Sequence, residues 1–469
     1  MSVVGRRTAG GRLLISFMYF ILITGAVTVV YPFLLMVSTS VTSVPDFRDF
    51  RPIPRYLYND DILFIKYMED KHNNERFPEL RYIWQLDCYE FRDSLGLFRY
   101  PSVDRPGIKQ RIVDWQDFKE QCPYRFLIVL YRNAWIGGKT QLAFQEMLRE
   151  RFSNDIKAAN KALGLHVEKF GSIAPPVLPK DGHTLRIAPH EQKLEAAWHE
   201  FVSGLGPSSL DVFDANGYYQ RYLQSEFPTI KEYNAVAGTD HASFIEIEFP
   251  PRPPKDPDLR EFYAGYIRKK WPVRFIHLGE TPEERQEVAR LYHDFLQNRY
   301  PNIERYREIH GRPIASFSEA PVFYQEPEKD TDFAEWVDFV NTDVPLDLIY
   351  PEFAETLFPQ FLRKRYATIE ELNRTYRTTC AGFEEVPIPR REEDYADFLS
   401  RKGSIRWHFL TDNYAVVLRY ILLQGRAFWN TFVLVVATIV GQLTVMPMAA
   451  FALSRFRLPY AHRVLLFLL

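Results

Sequence analysis

Cysteine is scarce in this chain of 469 residues: Cys88, Cys122 and Cys380 are all it has. Three thiols with no metal-ligand spacing build neither a disulfide framework nor a zinc site. One bridge is open to them if their segment is extracytoplasmic; unpaired thiols are the simpler expectation. An excess of charge of one sign is also missing. The 58 Lys and Arg nearly balance the 60 Asp and Glu, for a net −2, so there is no electrostatic footprint for nucleic acid. The eleven histidines contain no H-E-x-x-H or comparable ligand spacing. Gly137-Gly138-Lys139-Thr140 invites a phosphate-loop reading, but Asn133 stands where the leading glycine belongs. No metal, cofactor or catalytic residue is therefore expected in this polypeptide.

Charge is absent altogether from Leu13–Val37 and from Ala427–Leu453. Each run exceeds the roughly 20 apolar residues that cross a bilayer's hydrocarbon core. Between them lies charged, aromatic, proline-punctuated sequence far too polar for lipid. Residues 13–40 and 426–453 are expected to be membrane helices, with a large aqueous domain over 41–425. A secretory signal competes for the first run, since Arg6, Arg7 and Arg12 precede it and Ser38-Thr39-Ser40 follows. Its apolar part is longer than the about 7–15 residues of a signal's core, which favours a retained anchor. The same arginines place residues 1–12 in the cytoplasm and the central domain outside. The second run returns inward to Arg455, Arg457 and Arg463, although Arg419 and Arg426 at its outer end weaken its own asymmetry. Beyond a cytoplasmic loop at 454–463, residues 464–469 begin a new apolar run, read as the start of a third span in a truncated chain.

Both membrane edges carry a family pattern. Tyr31-Pro32-Phe33-Leu34-Leu35-Met36-Val37-Ser38-Thr39-Ser40 resembles the end of the first helix in MalG-type sugar permeases of ABC importers, with its Pro32, Met36 and Ser40. Asn430-Thr431 and then Ala450-Phe451-Ala452-Leu453-Ser454-Arg455-Phe456-Arg457-Leu458-Pro459 resemble that family's second helix and first cytoplasmic loop, where the string runs A-Y-A-L-A-R-F-R-F-P-G. The resemblance covers about a fifth of the chain. It departs from the family in two ways: the short external loop is replaced by the whole central segment, and the EAA loop that docks on the ATPase subunit is absent. What it implies is a multi-pass inner-membrane permease subunit. Its partners would be a second permease subunit, cytoplasmic ATPase subunits that bind the ATP, an extracytoplasmic solute-binding protein, membrane lipid and a carbohydrate substrate. Within the second span, Gln442 is expected to face a neighbouring helix or the permeation path, and Pro447 to kink it.

The central segment repeats itself. Tyr219-Gln-Arg-Tyr222-Leu223 leads through Phe227, Thr229-Ile230 and Asn234 to Gly238-Thr239, Ser243-Phe244 and Pro250. Related strings start at Phe144, Tyr292 and Phe358, and a frayed one at Phe64. Aromatic pairs three apart precede them: Trp115/Phe118, Trp198/Phe201, Trp336/Phe339 and Tyr395/Phe398, with Leu259/Phe262 standing in once. Units are read near 64–100, 115–180, 198–254, 259–325 and 336–390, with a partial one at 395–425. The i, i+3, i+4, i+8 spacing predicts one buried face on a first helix. A second short helix follows and stops where glycine tolerates the left-handed conformation. The tail before the proline should be extended. The fold class is thus mainly α, with membrane helices and an inserted helical-repeat domain whose units bury their faces on one another.

Phe361-Leu-Arg-Lys-Arg-Tyr-Ala-Thr-Ile-Glu-Glu-Leu-Asn373 resembles a helical segment of family 42 β-galactosidases. Those enzymes draw one acid from an Asn-Glu pair at a barrel strand end. Here Asn74-Glu75 lies in a polar run without strand character, and no barrel pattern exists. Glu384-Glu385 and Glu392-Glu393-Asp394 are read as solvated turn residues; a glycosidase would need two carboxylates converging about 5–10 Å apart. His241 and His310 are read as surface groups. Asn160, Asn234 and Asn373 are read as local turn stabilisers, and the aromatic pairs as core before sugar platforms. The function expected is an importer's permease subunit, with a membrane-anchored glycan-binding or sensing protein as the alternative.

Overall fold

The computed structural model describes residues 9–42, 51–72, 77–130, 139–176, 192–419 and 427–455. Arg6, Arg7, Asn74-Glu75, Asn133, Gly137-Gly138, Pro459 and the expected third span at 464–469 lie outside them. The chain is mainly helical, and its apolar periodicity decides where. Helix α1 (Ala9–Thr39) covers the first charge-free run. Then come α2 (Asp60–His72), α3 (Phe77–Trp84) and α4 (Pro106–Gln121), followed by strand β1 (Leu127–Val129). From there one order recurs. Helices α5 (Lys139–Arg151), α6 (Ile156–Leu163) and α7 (Gln192–Ser203) precede β2 (Leu210–Val212). Helices α8 (Asn216–Glu226), α9 (Ile230–Ala237) and α10 (Pro257–Lys269) precede β3 (Ile276–Leu278). Helices α11 (Pro282–Arg299), α12 (Ile303–His310) and α13 (Asp330–Thr342) precede β4 (Ile349–Pro351). Helices α14 (Ala354–Arg365) and α15 (Ile369–Tyr376) lead to α16 (Arg390–Arg419) and α17 (Ala427–Arg455).

Two units divide this chain. One holds α1, the described residues 51–57 and everything described from Gly403 onward. Its helices α1 and α17 contain apolar stretches of 28 residues (Arg12–Thr39) and 24 residues (Trp429–Ala452), long enough to cross a membrane. Past the end of α1, Asn413 Nδ2 donates to the Ser40 carbonyl at 2.9 Å, and the Ser40 and Tyr414 hydroxyls lie 2.5 Å apart. Tyr56 is fully buried, with the Phe409 ring 6.2 Å from its own.

The other unit, Tyr58–Lys402 among the described residues, contains the repeats. In four of the hairpins the second helix starts on a side-chain cap. Asp155, Thr229, Asn302 and Thr368 each accept a hydrogen bond from a backbone N–H two or three residues on. The helices close in the left-handed conformation, by Gly238 at φ 63° and, in the last hairpin, by Arg377 at φ 57°. The tail differs from expectation. Phe170, Phe244, Phe317 and Phe383 each open a 3-10 turn before the chain extends. The asparagines act locally: Asn160, Asn234 and Asn373 each donate to the carbonyl seven residues on (Val167, His241, Cys380) at 2.8–2.9 Å. Arg307 takes that place in α12, donating to Ile314 O.

The aromatic pairs are core, but they pack backwards along the chain. Trp198 and Phe201 of α7 meet Phe144 of α5, and Phe339 of α13 meets Tyr292 and Phe295 of α11. On α10 the pair in this role is Tyr263/Tyr266, with Tyr266 against Tyr219 and Tyr222; Leu259/Phe262 is displaced by one helical step, and Phe262 instead covers Phe227. The two remaining pairs exchange places. Trp115 and Phe118 of α4 pack on Phe358 of α14, whereas Tyr395 and Phe398 of α16 pack on Phe64 of α2. The first and last repeats thus complete each other. Cβ-free approaches tighten this closure, since a Cβ on Gly107 of α4 would stand 2.0 Å from the Tyr376 carbonyl oxygen of α15.

The four short strands were not anticipated. β1 pairs antiparallel with β2 (Leu127↔Val212) and β3 with β4 (Ile276↔Pro351). The bond from Glu352 N to Phe275 O extends the β3–β4 pair, and that from Ala354 N to Phe213 O links it to the end of β2. At three residues each, they are too short for a period-2 pattern to stand out.

Candidate functional site

Beside the β3–β4 pair the second unit opens a cleft of about 1190 Å³, lined by α3, β3, β4, α14, the tail after α15 and the start of α16. Antiparallel register sets His277 opposite Tyr350, and their rings stack 4.9 Å apart at 14°. The Arg252 guanidinium lies 3.9 Å from the Tyr350 ring centroid, within cation–π range. The Tyr350 hydroxyl donates to both Glu284 oxygens at 2.8 and 2.7 Å. Burial first, then this carboxylate, pushes the phenol up to about 12. Glu352 Oε1 stands 3.4 Å from His277 Nδ1, and its other oxygen 3.2 Å from Arg125.

The cleft floor is an ion cluster around Arg390, the second residue past Ile388 and buried. Its guanidinium reaches Asp214, Asp211 at 3.3 Å, Glu355 at 3.3 Å and the Val212 carbonyl at 2.9 Å. Glu355 keeps 29% of its side chain exposed. Burial, and then the Asp214 charge, push its carboxyl well above the usual range despite Arg390. Tyr82 on α3 donates to Glu248 at 3.4 Å. Burial, with Asp214, Glu355 and Glu248 behind it, pushes that phenol up. The arrangement offers a polar ligand arginine cations, carboxyl groups and a stacked ring pair. Among the described residues no three His, Cys, Asp or Glu side chains converge on a metal position.

Glu392-Glu393-Asp394 are not solvated turn residues. They begin α16, where Glu393 accepts from Lys119 at 2.8 Å and Glu392 pairs with Arg111 at 3.0 Å. Asp394 pairs with Lys71 at 2.8 Å and His72 at 3.3 Å. Burial alone would raise the Asp394 carboxyl; the Lys71 and His72 charges overcome that and hold it below the usual carboxylate range. Nor is His310 a surface group. It is buried between Asp332 (2.7 Å) and Glu335 (3.3 Å). Asp114, Glu335 and Asp394 each stand directly before an aromatic pair, and each takes hydrogen bonds from the hairpin that pair covers. Tyr366 and Tyr376 serve Asp114, Tyr292 and Tyr300 serve Glu335, and Trp84 serves Asp394. An acid before Trp115, Trp336 and Tyr395 was the signal in the sequence that would have found them. Glu384-Glu385 do lie in exposed turn structure, Glu384 paired with Arg363.

The membrane-edge positions fall outside the cleft. Pro32 and Met36 are exposed on α1, and Ser40 follows its last residue. Asn430 lies in the first turn of α17, Gln442 and Pro447 are exposed along it, and Arg455 ends it. The three cysteines are free thiols, and burial pushes Cys122 up to about 12. The chain matches no protein-family model, no curated protein and no solved structure with which it was compared.

Proposed function

We propose that this chain is a transmembrane permease subunit of a carbohydrate importer, with its N-terminus cytoplasmic and residues 41–425 outside the membrane. The single observation that carries the reading is the pair of helices with apolar stretches of 28 and 24 residues, bracketing a separate compact unit. Their sequence edges resemble the sugar permeases of ABC importers at Pro32, Met36, Ser40, Asn430 and Arg455. Coupling to ATP falls to cytoplasmic partner subunits, and delivery of sugar to an extracytoplasmic binding protein. The central unit then captures glycan in the His277–Tyr350 cleft or contacts that binding protein. Deleting the coding sequence for Tyr58–Lys402 is expected to abolish sugar uptake or binding-protein docking. Uptake and docking that both survive would defeat the assignment of either task to the central unit.

One observation favours a second reading, a membrane-anchored glycan-binding or sensing protein. The α4–α14 and α2–α16 exchange makes the central unit complete without the spans. Co-purification separates the two: an ATPase subunit retained in detergent supports the importer, and its absence supports the anchor.

A further inference from the structure

Residues 403–419, the C-terminal half of α16, bury one face and expose another. Ile405 is buried and Phe409 packs on Tyr56. On the opposite side Trp407 is 67% exposed, and Tyr414, Val417 and Leu418 are exposed beside it. Trp407, Tyr414 and Leu418 follow at i, i+7 and i+11, one stripe about 16 Å long at 1.5 Å per residue. In water that stripe is unfavourable, and the chain itself limits what can cover it. Asn413 and Tyr414 are hydrogen-bonded to Ser40, immediately past the end of the first apolar helix. Arg419 is eight residues before Ala427, where the second begins, so the two are at most about 28 Å apart even with the link fully extended. The segment is tied to one end of each apolar helix.

We propose that residues 403–419 form an interfacial helix, lying in the headgroup–acyl boundary with Trp407, Tyr414, Val417 and Leu418 turned into the lipid. A Trp and a Tyr are the residues that settle at this depth, where an amphipathic ring meets both phases. An amphipathic helix at a membrane surface buries such a stripe to a depth of about 5–10 Å. This inference rests on the membrane reading of α1 and α17, and it adds a lipid-binding surface distinct from either span. The outer end of the first span is thereby held at a fixed height through Ser40.

Nitroxide labels test it in the full chain, reconstituted in liposomes on a Cys380→Ser background, with Cys88 and Cys122 buried. Labels go on Trp407→Cys, Tyr414→Cys and Leu418→Cys. Val440→Cys in α17 serves as the deep reference and Arg290→Cys on the exposed face of α11 as the aqueous one. The ratio of oxygen to nickel-chelate collisions at 407, 414 and 418 is expected to fall between the references, several-fold above Arg290→Cys and several-fold below Val440→Cys. Values equal to Arg290→Cys, with Val440→Cys deep, overturn the interfacial helix and leave the spans standing. Values as deep as Val440→Cys also overturn it, because the segment would then be transmembrane. An aqueous Val440→Cys removes the membrane reading itself.

Discussion

Trp115 meets Phe358 edge to face, with ring centroids 5.2 Å apart and planes at 89°. The two belong to the first aromatic pair and the last hairpin of the repeat, and Phe64 makes the reciprocal contact with Phe398 at 5.0 Å. Elsewhere each pair covers the hairpin just before it. At the ends that rule would set α4 on α2 and α16 on α14; instead α4 packs on α14 and α16 on α2, so the exchange joins the first hairpin to the last.

Truncating either partner at this junction should be costly. Trp115→Ala and Phe358→Ala are each expected to lower unfolding free energy by about 3–5 kcal/mol. A double-mutant cycle should return a coupling of about 0.5–1.5 kcal/mol beyond the lost area. Denaturant titration of the purified chain measures both; strict additivity would show that the rings do not interact.

The Arg390 guanidinium pairs with Asp211 and Asp214, both buried. Arg390→Met removes it and leaves two carboxylates in low dielectric, at an expected cost of about 3–5 kcal/mol. A melting temperature unchanged by this substitution would show that the cluster is hydrated.

Glu355 and Asp394 predict opposite pH effects. The Glu355 carboxyl is raised in the folded chain, so its contribution is present in full below the unfolded value of about 4.3 and is lost as pH climbs toward the folded one. Glu355→Gln, which imitates the neutral acid, should therefore gain on the wild type as pH rises. Asp394 is depressed: its contribution stands above about pH 4 and disappears as pH falls below it. Asp394→Asn should flatten the acid limb of the stability profile. Parallel pH titrations of unfolding decide both signs.

Gly107→Ala places its Cβ against backbone, 2.0 Å from the Tyr376 carbonyl, so α4 and α15 must separate. A loss of about 1–3 kcal/mol is expected. Gly204→Ala, whose nearest neighbour is 3.5 Å away, is the control and should change little.

Helix positions, hairpin boundaries and the core status of Trp115, Trp198 and Trp336 were legible because period-3.6 aromatics repeat and asparagine sits at a fixed distance from its turn. The pairing at α10 misled for a plain reason: Leu259/Phe262 and Tyr263/Tyr266 both show a spacing of three, and only packing on Tyr219 and Tyr222 separates them. The acids Glu393 and Asp394 looked solvated because their partners, Lys119 and Lys71, are distant in sequence. Likewise the cleft is assembled from α3, two strands and the start of α16, so no local string announces it. Three-residue strands leave no periodic trace at all.

The exchange between α4 and α14 also sets a schedule for synthesis. As the chain leaves the ribosome, Trp115 lacks its α14 partner until Phe358 has emerged, and Phe64 lacks its α16 partner until Phe398 has. Intermediate lengths present unsatisfied aromatic faces throughout, a state open to aggregation. Completion of the closure comes only about 30 residues before the second apolar helix begins, so the final folding step of the central unit and the synthesis of that helix are nearly simultaneous events.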